Sequence, residues 1–328
     1  MTLLKEILKA ENRIRPFIRE TFLEFSPHFS EIIDGHVLFK LDNQQHTGSF
    51  KFRGAMNRVR ALSPAENKKG IVTASSGNHG AAVAKALTLF DTPGVVYVPE
   101  SASPAKIDNM EQYGVEVRLE GDDGIVAELA ARQFAEESGK TFISPYNDLI
   151  VAAGQGTCGI EIARQLSGEA VDYVFIAVGG GGLISGVACY LKSVWPDVKI
   201  IGCQPENSKV MADSIAAGEI LDLPSLPTLS DGTAGGIEQG SITFEYNQQY
   251  VDEFETVTEE EIADAMIHYM SVHHHMIEGA AGVAVAALLK RKEELQGKSA
   301  VVLICGGNIS LETLAEVLLS GQEDEIEE

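Results

Sequence analysis

Hydrophobic runs long enough to cross a bilayer are missing from this sequence. Nothing approaches the ~20 apolar residues that a membrane helix needs, and Lys40, Lys51 and Lys85 interrupt the more apolar regions. Basic residues are scarce. Twenty-five Lys and Arg face 48 Asp and Glu, a formal net charge of −23. Such a chain repels phosphodiester backbones and anionic lipid, so nucleic acid and membranes are not expected partners. Cysteine is sparse as well: Cys158, Cys189, Cys203 and Cys305 include no CxxC pair, which argues against a disulfide framework or a structural zinc site. There is no Pro-rich spacer, low-complexity linker or internal repeat. The opening Met1-Thr2-Leu3-Leu4-Lys5-Glu6 lacks the basic stretch, apolar core and cleavage site of an export signal. It reads as an amphipathic helix of a cytoplasmic protein. The acidic end from Glu323 to Glu328 reads as a frayed polar tail.

The chain has 328 residues, 45% hydrophobic and 22% charged, a size and composition that suit a globular protein of two domains. Short apolar runs alternate with helical patterns. Strand-like runs are 37–41, 70–74, 95–98, 115–119, 173–178, 199–203 and 300–304; helical patterns include 50–62, 80–89, 124–137, 150–165 and 183–194. This alternation predicts an α/β fold with parallel sheets covered by helices. Ligands then collect where strand ends meet helix starts. Pro145-Tyr146-Asn147-Asp148 is a turn-like cluster that marks a return from one domain to the other, and residues 221–240 form a long aperiodic segment of the kind that usually has a function.

Four strand-to-helix turns carry the chemistry. In Thr47-Gly48-Ser49-Phe50-Lys51-Phe52-Arg53, Ser49 is the expected helix cap and Lys51 falls in the first turn. A cation is disfavoured there, which suits an amine of depressed pKa acting as nucleophile or base; a surface lysine pointing away is the bland alternative. Ser75-Ser76-Gly77-Asn78-His79-Gly80 combines hydroxyls, an amide and a helix N-terminus, a setting for a carboxylate or phosphate. Gly179-Gly180-Gly181-Gly182 is a backbone cradle for an anion. No Gly-Lys-Ser/Thr follows it, so it is not a Walker loop. It falls one glycine short of a dinucleotide fingerprint, with Ser185 at the third position and Glu206 as a possible ribose acid, which keeps an NAD-dependent oxidoreductase open as an alternative. Cys305-Gly306-Gly307-Asn308 ends the last strand. His273-His274-His275 lacks partners at metal-ligand spacing, and no metal ligand is assigned.

Taken in order with Glu278-Gly279-Ala280-Ala281-Gly282, these segments resemble the threonine/serine dehydratase and serine racemase family, fold-type-II pyridoxal-phosphate enzymes of tryptophan synthase β type. The resemblance runs from Arg13 to Asn308. It implies two parallel-rich sheets, with a large cofactor-binding domain of residues 1–47 and 149–328 and a small domain of 48–148 carrying the substrate loop. It further implies that Lys51 is the Schiff-base lysine and that Phe50 packs beside the ring. Asn78 would bond the ring hydroxyl, Gly179 to Gly182 would wrap the phosphate, and Glu278 and Cys305 would complete the cofactor site. Ser75, Ser76, Asn78 and His79 would grip the substrate, with Ser76 as the second proton-exchanging residue of the racemases. The partner is then a small β-hydroxy amino acid such as L-threonine or L-serine, converted by a homodimer or homotetramer to a 2-oxo acid and ammonia. Racemisation in the same family is the alternative. A thiol at Cys305 is a weak donor beside the pyridine nitrogen and leaves the ring a moderate electron sink, which favours prompt loss of the β-hydroxyl.

Departures from the family pattern have consequences too. Gln204 and Val210 stand where several relatives carry acidic ligands for a divalent metal, so that metal site is expected to be absent. Thr21-Phe22-Leu23 replaces the more usual Thr-Pro-Leu, without a clear consequence. The chain stops soon after its last helix, which predicts no amino-acid-sensing regulatory domain. The loop 229–238 resembles the branch that includes hydroxyectoine-utilisation dehydratases, and with it the side-chain pocket is expected to admit something other than threonine.

Overall fold

The computed structural model describes residues 2–323, so most of the acidic tail from Glu323 onward lies outside the described residues. Two sheets organise the chain. The larger has strand order β1-β2-β10-β7-β8-β9, formed by β1 (Leu23–Phe25), β2 (His36–Leu41), β7 (Tyr173–Ala177), β8 (Lys199–Pro205), β9 (Glu253–Val257) and β10 (Ser299–Ile304). Only β1 runs antiparallel to its neighbour. The smaller sheet is all parallel, in the order β5-β4-β3-β6, from β3 (Ile71–Ala74), β4 (Gly94–Val98), β5 (Glu116–Leu119) and β6 (Thr141–Phe142).

The central strands are continuous apolar runs because helices cover both faces. Val301, Val302, Leu303 and Ile304 are all buried, as are Val174, Phe175 and Ile176 beside them. Helices begin where the sequence supplies caps. Asp123 and Asp148 each accept two backbone N–H bonds at the starts of the helices Gly124–Ser138 and Leu149–Gln165, and Thr258 with Glu261 forms a capping box. Among the described residues no helix is long and apolar enough to cross a membrane. All four cysteines are free and buried.

Candidate functional site

The ends of β3, β7 and β10 open onto a cavity of about 620 Å³ whose lining includes Lys51, Ser75 to His79, Gly179 to Gly182, Glu278 and Cys305. Every residue assigned to the site from the sequence lines this one cavity, together with Tyr146 and residues 231–236 of the long loop.

Lys51 opens the helix Lys51–Arg60, and Ser49 does not cap it. The flanking residue is Phe50, no side-chain cap is present, and Ser49 is extended at φ −160° with its hydroxyl buried and unpaired. The reason is a tertiary clamp: Phe50 N–H donates to the Cys305 carbonyl at 2.9 Å and Gly307 N–H to Gly48 O at 3.0 Å. This holds the helix start against the end of β10. The Lys51 amine donates to Pro145 O at 3.2 Å and stands 5.2 Å from the Phe50 ring centre. Burial lowers its pKa to about 8, against the smaller opposing pull of Cys305 and Glu278. Burial also pushes the Cys305 thiol well up, which keeps it protonated.

The tetraglycine turn links β7 to the helix Gly182–Val194. Gly181 lies at φ +81°, a left-handed conformation that suits glycine, and a Cβ on Gly180 would clash with the Tyr146 ring. Its carbonyls are engaged from behind. Thr243 Oγ1 donates to Gly180 O at 2.6 Å, while Ser185 Oγ (2.7 Å) and Asn247 Nδ2 (3.3 Å) reach Gly181 O. The first-turn N–H groups of the helix have no intrahelical acceptor and present an anion site.

Asn78 and Glu278, 200 residues apart in sequence, meet across the cavity. Asn78 Nδ2 donates to both Glu278 oxygens at 2.9 and 3.0 Å. Asn308 N–H donates to Glu278 at 3.0 Å and Asn308 Nδ2 to Asn78 Oδ1 at 2.6 Å. Burial raises the Glu278 carboxyl to about 7, with Asn78 and Asn308 pulling the other way. His79 is buried, and its Nε2 faces Ile143 O at 3.3 Å. A carbonyl only accepts, so Nε2 carries the hydrogen. Nδ1 is then a lone-pair acceptor, buried and without a partner, and burial lowers the imidazole to about 3 and keeps it neutral. The ring therefore has no free donor for a carboxylate, and this residue can bind one only through its backbone N–H.

Sequence reasoning missed a buried charge network behind Lys51. Arg53 is two positions on, ~200° around the helix, and points away from the cavity. It makes paired bonds to Asp42 (2.6 and 2.7 Å) and Glu161 (2.7 and 2.8 Å), while Lys40 reaches Glu161 at 2.6 Å. All four side chains are fully buried. Burial pushes the Glu161 carboxyl up, but Arg53 and Lys40 overcome this and hold it well below the usual range. The available signal was Lys40 itself, a charge within the apolar run 37–41 that must find a partner.

Other residues singled out in the sequence lie elsewhere. Glu206 is exposed after β8 and does not line the cavity. Gln204 is buried and ties the end of β8 to its neighbours, donating to Val178 O at 2.9 Å and accepting from Ala212 N–H at 2.8 Å. His273 stacks on Tyr269 and shares a hydrogen bond with Ser26. Among the described residues no group of three or more His, Cys, Asp and Glu side chains is arranged to hold a metal.

A buried amine of lowered pKa, a glycine turn at a helix start, an aromatic ring and a neutral thiol fit a pyridoxal phosphate. The comparisons agree. A family model described as "Pyridoxal-phosphate dependent enzyme" matches residues 14–307. The L-threonine ammonia-lyase of Thermotoga maritima is 40% identical over 98% of this chain and 79% of its own. The catabolic L-threonine dehydratase of Escherichia coli is 37% identical over 96% and 95%. Among solved structures, maize serine racemase superposes with a TM-score of 0.90 at 31% identity over 98% of both chains. Threonine deaminase isoform 2 of Solanum lycopersicum gives 0.90 at 31% over 96% and 92%. By site and by sequence alike, the chain belongs to the pyridoxal-phosphate dependent enzymes.

Proposed function

We propose that this enzyme is a threonine/serine ammonia-lyase, which eliminates water from a β-hydroxy amino acid to give an enamine that takes water back and hydrolyses to a 2-oxo acid and ammonia. The observation that carries the reading is the meeting of Lys51 with the Ser75–His79 turn and the tetraglycine turn in one cavity, in a chain 37–40% identical to threonine dehydratases over nearly its full length. When bound, pyridoxal phosphate supplies an aldehyde for the substrate amine and a ring that accepts the electron pair left by the α-proton.

The chain's own residues do the rest. Gly179 to Gly182 hold the phosphate through backbone N–H groups, and Phe50 packs beside the ring. Asn78, its amide held by Glu278 and Asn308, would hydrogen-bond the ring hydroxyl. The Cys305 thiol, in the cavity lining, would serve the pyridine nitrogen without forcing a proton on it. Ser75, Ser76 and the backbone N–H groups at Asn78 and His79 take the substrate carboxylate. Lys51 Nζ, its pKa lowered by burial to about 8, removes the proton from Cα. On this reading residues 1–47 with 149–328 form the large domain and supply the glycine turn, Glu278 and Cys305, while 48–148 form the small domain and supply Phe50, Lys51, Asn78 and the substrate turn. A cytoplasmic homodimer or homotetramer is the assembly carried over from the family resemblance.

Replacing Lys51 with alanine is expected to remove the visible absorbance of the bound cofactor and to reduce L-threonine turnover by at least about 1000-fold, the scale on which a nucleophile and base acts. Spectra of the purified variant with a 2-oxo acid assay read both. Retained turnover would sink the assignment.

A further inference from the structure

Glu238 ties the segment 221–240 to the small sheet and, through its neighbours, to the tetraglycine turn; Asp231 adds a longer ion pair to Lys106 at 3.6 Å. Glu238 Oε1 accepts from Arg132 at 2.6 Å; Arg132 belongs to the helix Gly124–Ser138, which packs on β3 and β4. Its Oε2 accepts from Asn147 Nδ2 at 2.8 Å. Its backbone N–H donates to Tyr146 Oη at 3.0 Å, and a Cβ on Gly180 would clash with the Tyr146 ring. Asn147 Oδ1 accepts in turn from Ile242 N–H at 3.1 Å. That residue starts the helix Ile242–Tyr250, whose Thr243 and Asn247 secure the Gly180 and Gly181 carbonyls. Upstream, the Thr233 backbone packs on Gly179. The contacts thus form a continuous path from the Gly124–Ser138 helix to the tetraglycine carbonyls.

We propose that Glu238 is a positioning residue for the cofactor phosphate. With Arg132 and Asn147 it clasps the loop across the cavity and holds the Gly179–Gly182 N–H groups in place. The inference rests on that turn binding the phosphate. An ion pair this exposed, with about a third of each side chain open, is worth little by itself. The junction matters because one carboxylate serves two donors from separate parts of the chain, and charge-assisted bonds to a fixed carboxylate are the stronger kind.

The test is the affinity of the full-length chain for pyridoxal phosphate, read from the visible band as cofactor is titrated on. Glu238→Ala and Asn147→Ala are each expected to weaken Kd about tenfold, and the double variant no further, because both break the same path. Arg132→Gln, a milder surface change, is expected to weaken it about threefold. The melting temperature of the cofactor-free protein is expected to stay within about 3 °C of the parent's. Unchanged affinity in Glu238→Ala, or losses in the two alanine variants that multiply, would overturn the proposal. So would a fall in cofactor-free melting temperature that accounts for the whole affinity loss. Affinity rather than turnover is read, so a failed ammonia-lyase assay does not bear on the result.

Discussion

Lys51 is a cation placed where a helix dipole and a dry cavity both oppose its charge, and its pKa of about 8 follows chiefly from burial. The neighbouring acids reduce that shift without cancelling it: Glu278 is itself held near 7 by burial, and the Cys305 thiol stays neutral. Only the uncharged amine condenses with an aldehyde. The rate of cofactor attachment to the cofactor-free protein is therefore expected to rise about tenfold between pH 7 and pH 9, as the uncharged fraction grows from roughly a tenth to nine tenths. Stopped-flow absorbance across that range measures it. A rise centred near 10.5 would show that burial does not depress the amine. The Lys51 motif was legible in the sequence, and its setting was not. Burial by Pro145, Cys305 and Glu278 comes from segments 94 or more positions away.

The helix Lys51–Arg60 presents its reactive lysine on one face and anchors itself by Arg53 on the other. Arg53 balances two fully buried carboxylates; removing it strips buried Asp42 of its cation, while Glu161 keeps Lys40 and Arg15. Arg53→Met is expected to destabilise the cofactor-free protein by about 3–5 kcal/mol, measured by urea denaturation with the slope held constant. A loss under about 1 kcal/mol would show that the carboxylates find other partners. Elements of this kind were legible where periodicity was strong. The helix expected over 150–165 is Leu149–Gln165, and the strand expected over 300–304 is Ser299–Ile304. The strands β1, β6 and β9 were not. Two are only two or three residues long, and Glu253–Val257 carries two acids and a threonine on a half-buried sheet edge. Ser49 looked like a cap on local grounds, and the tertiary pairing of Gly48 and Phe50 with the end of β10 overrode it.

Across the whole molecule, two sheets bring turns from opposite ends of the chain to one cavity, so that Asn78 reaches Glu278 and Asn308. The order and spacing of the glycine turns made the cofactor family legible before any geometry. The bonds of Asn78 to Glu278 and Asn308 and the Arg132–Glu238 clasp were not legible, because partners 106 to 230 residues apart leave no local pattern. Structural likeness embraces both threonine deaminase and serine racemase. The two chemistries diverge after the α-proton leaves: the β-hydroxyl departs, or a proton returns on the opposite face, where Ser76 is proposed to act. A single incubation separates them. With L-serine as substrate, ammonia and 2-oxo acid are measured together with the enantiomeric composition of the residual serine. The account predicts equal amounts of ammonia and 2-oxo acid, with D-serine below about a tenth of the product, since a ring beside an undemanding thiol favours expulsion of the hydroxyl. D-serine formed in excess of ammonia would contradict it.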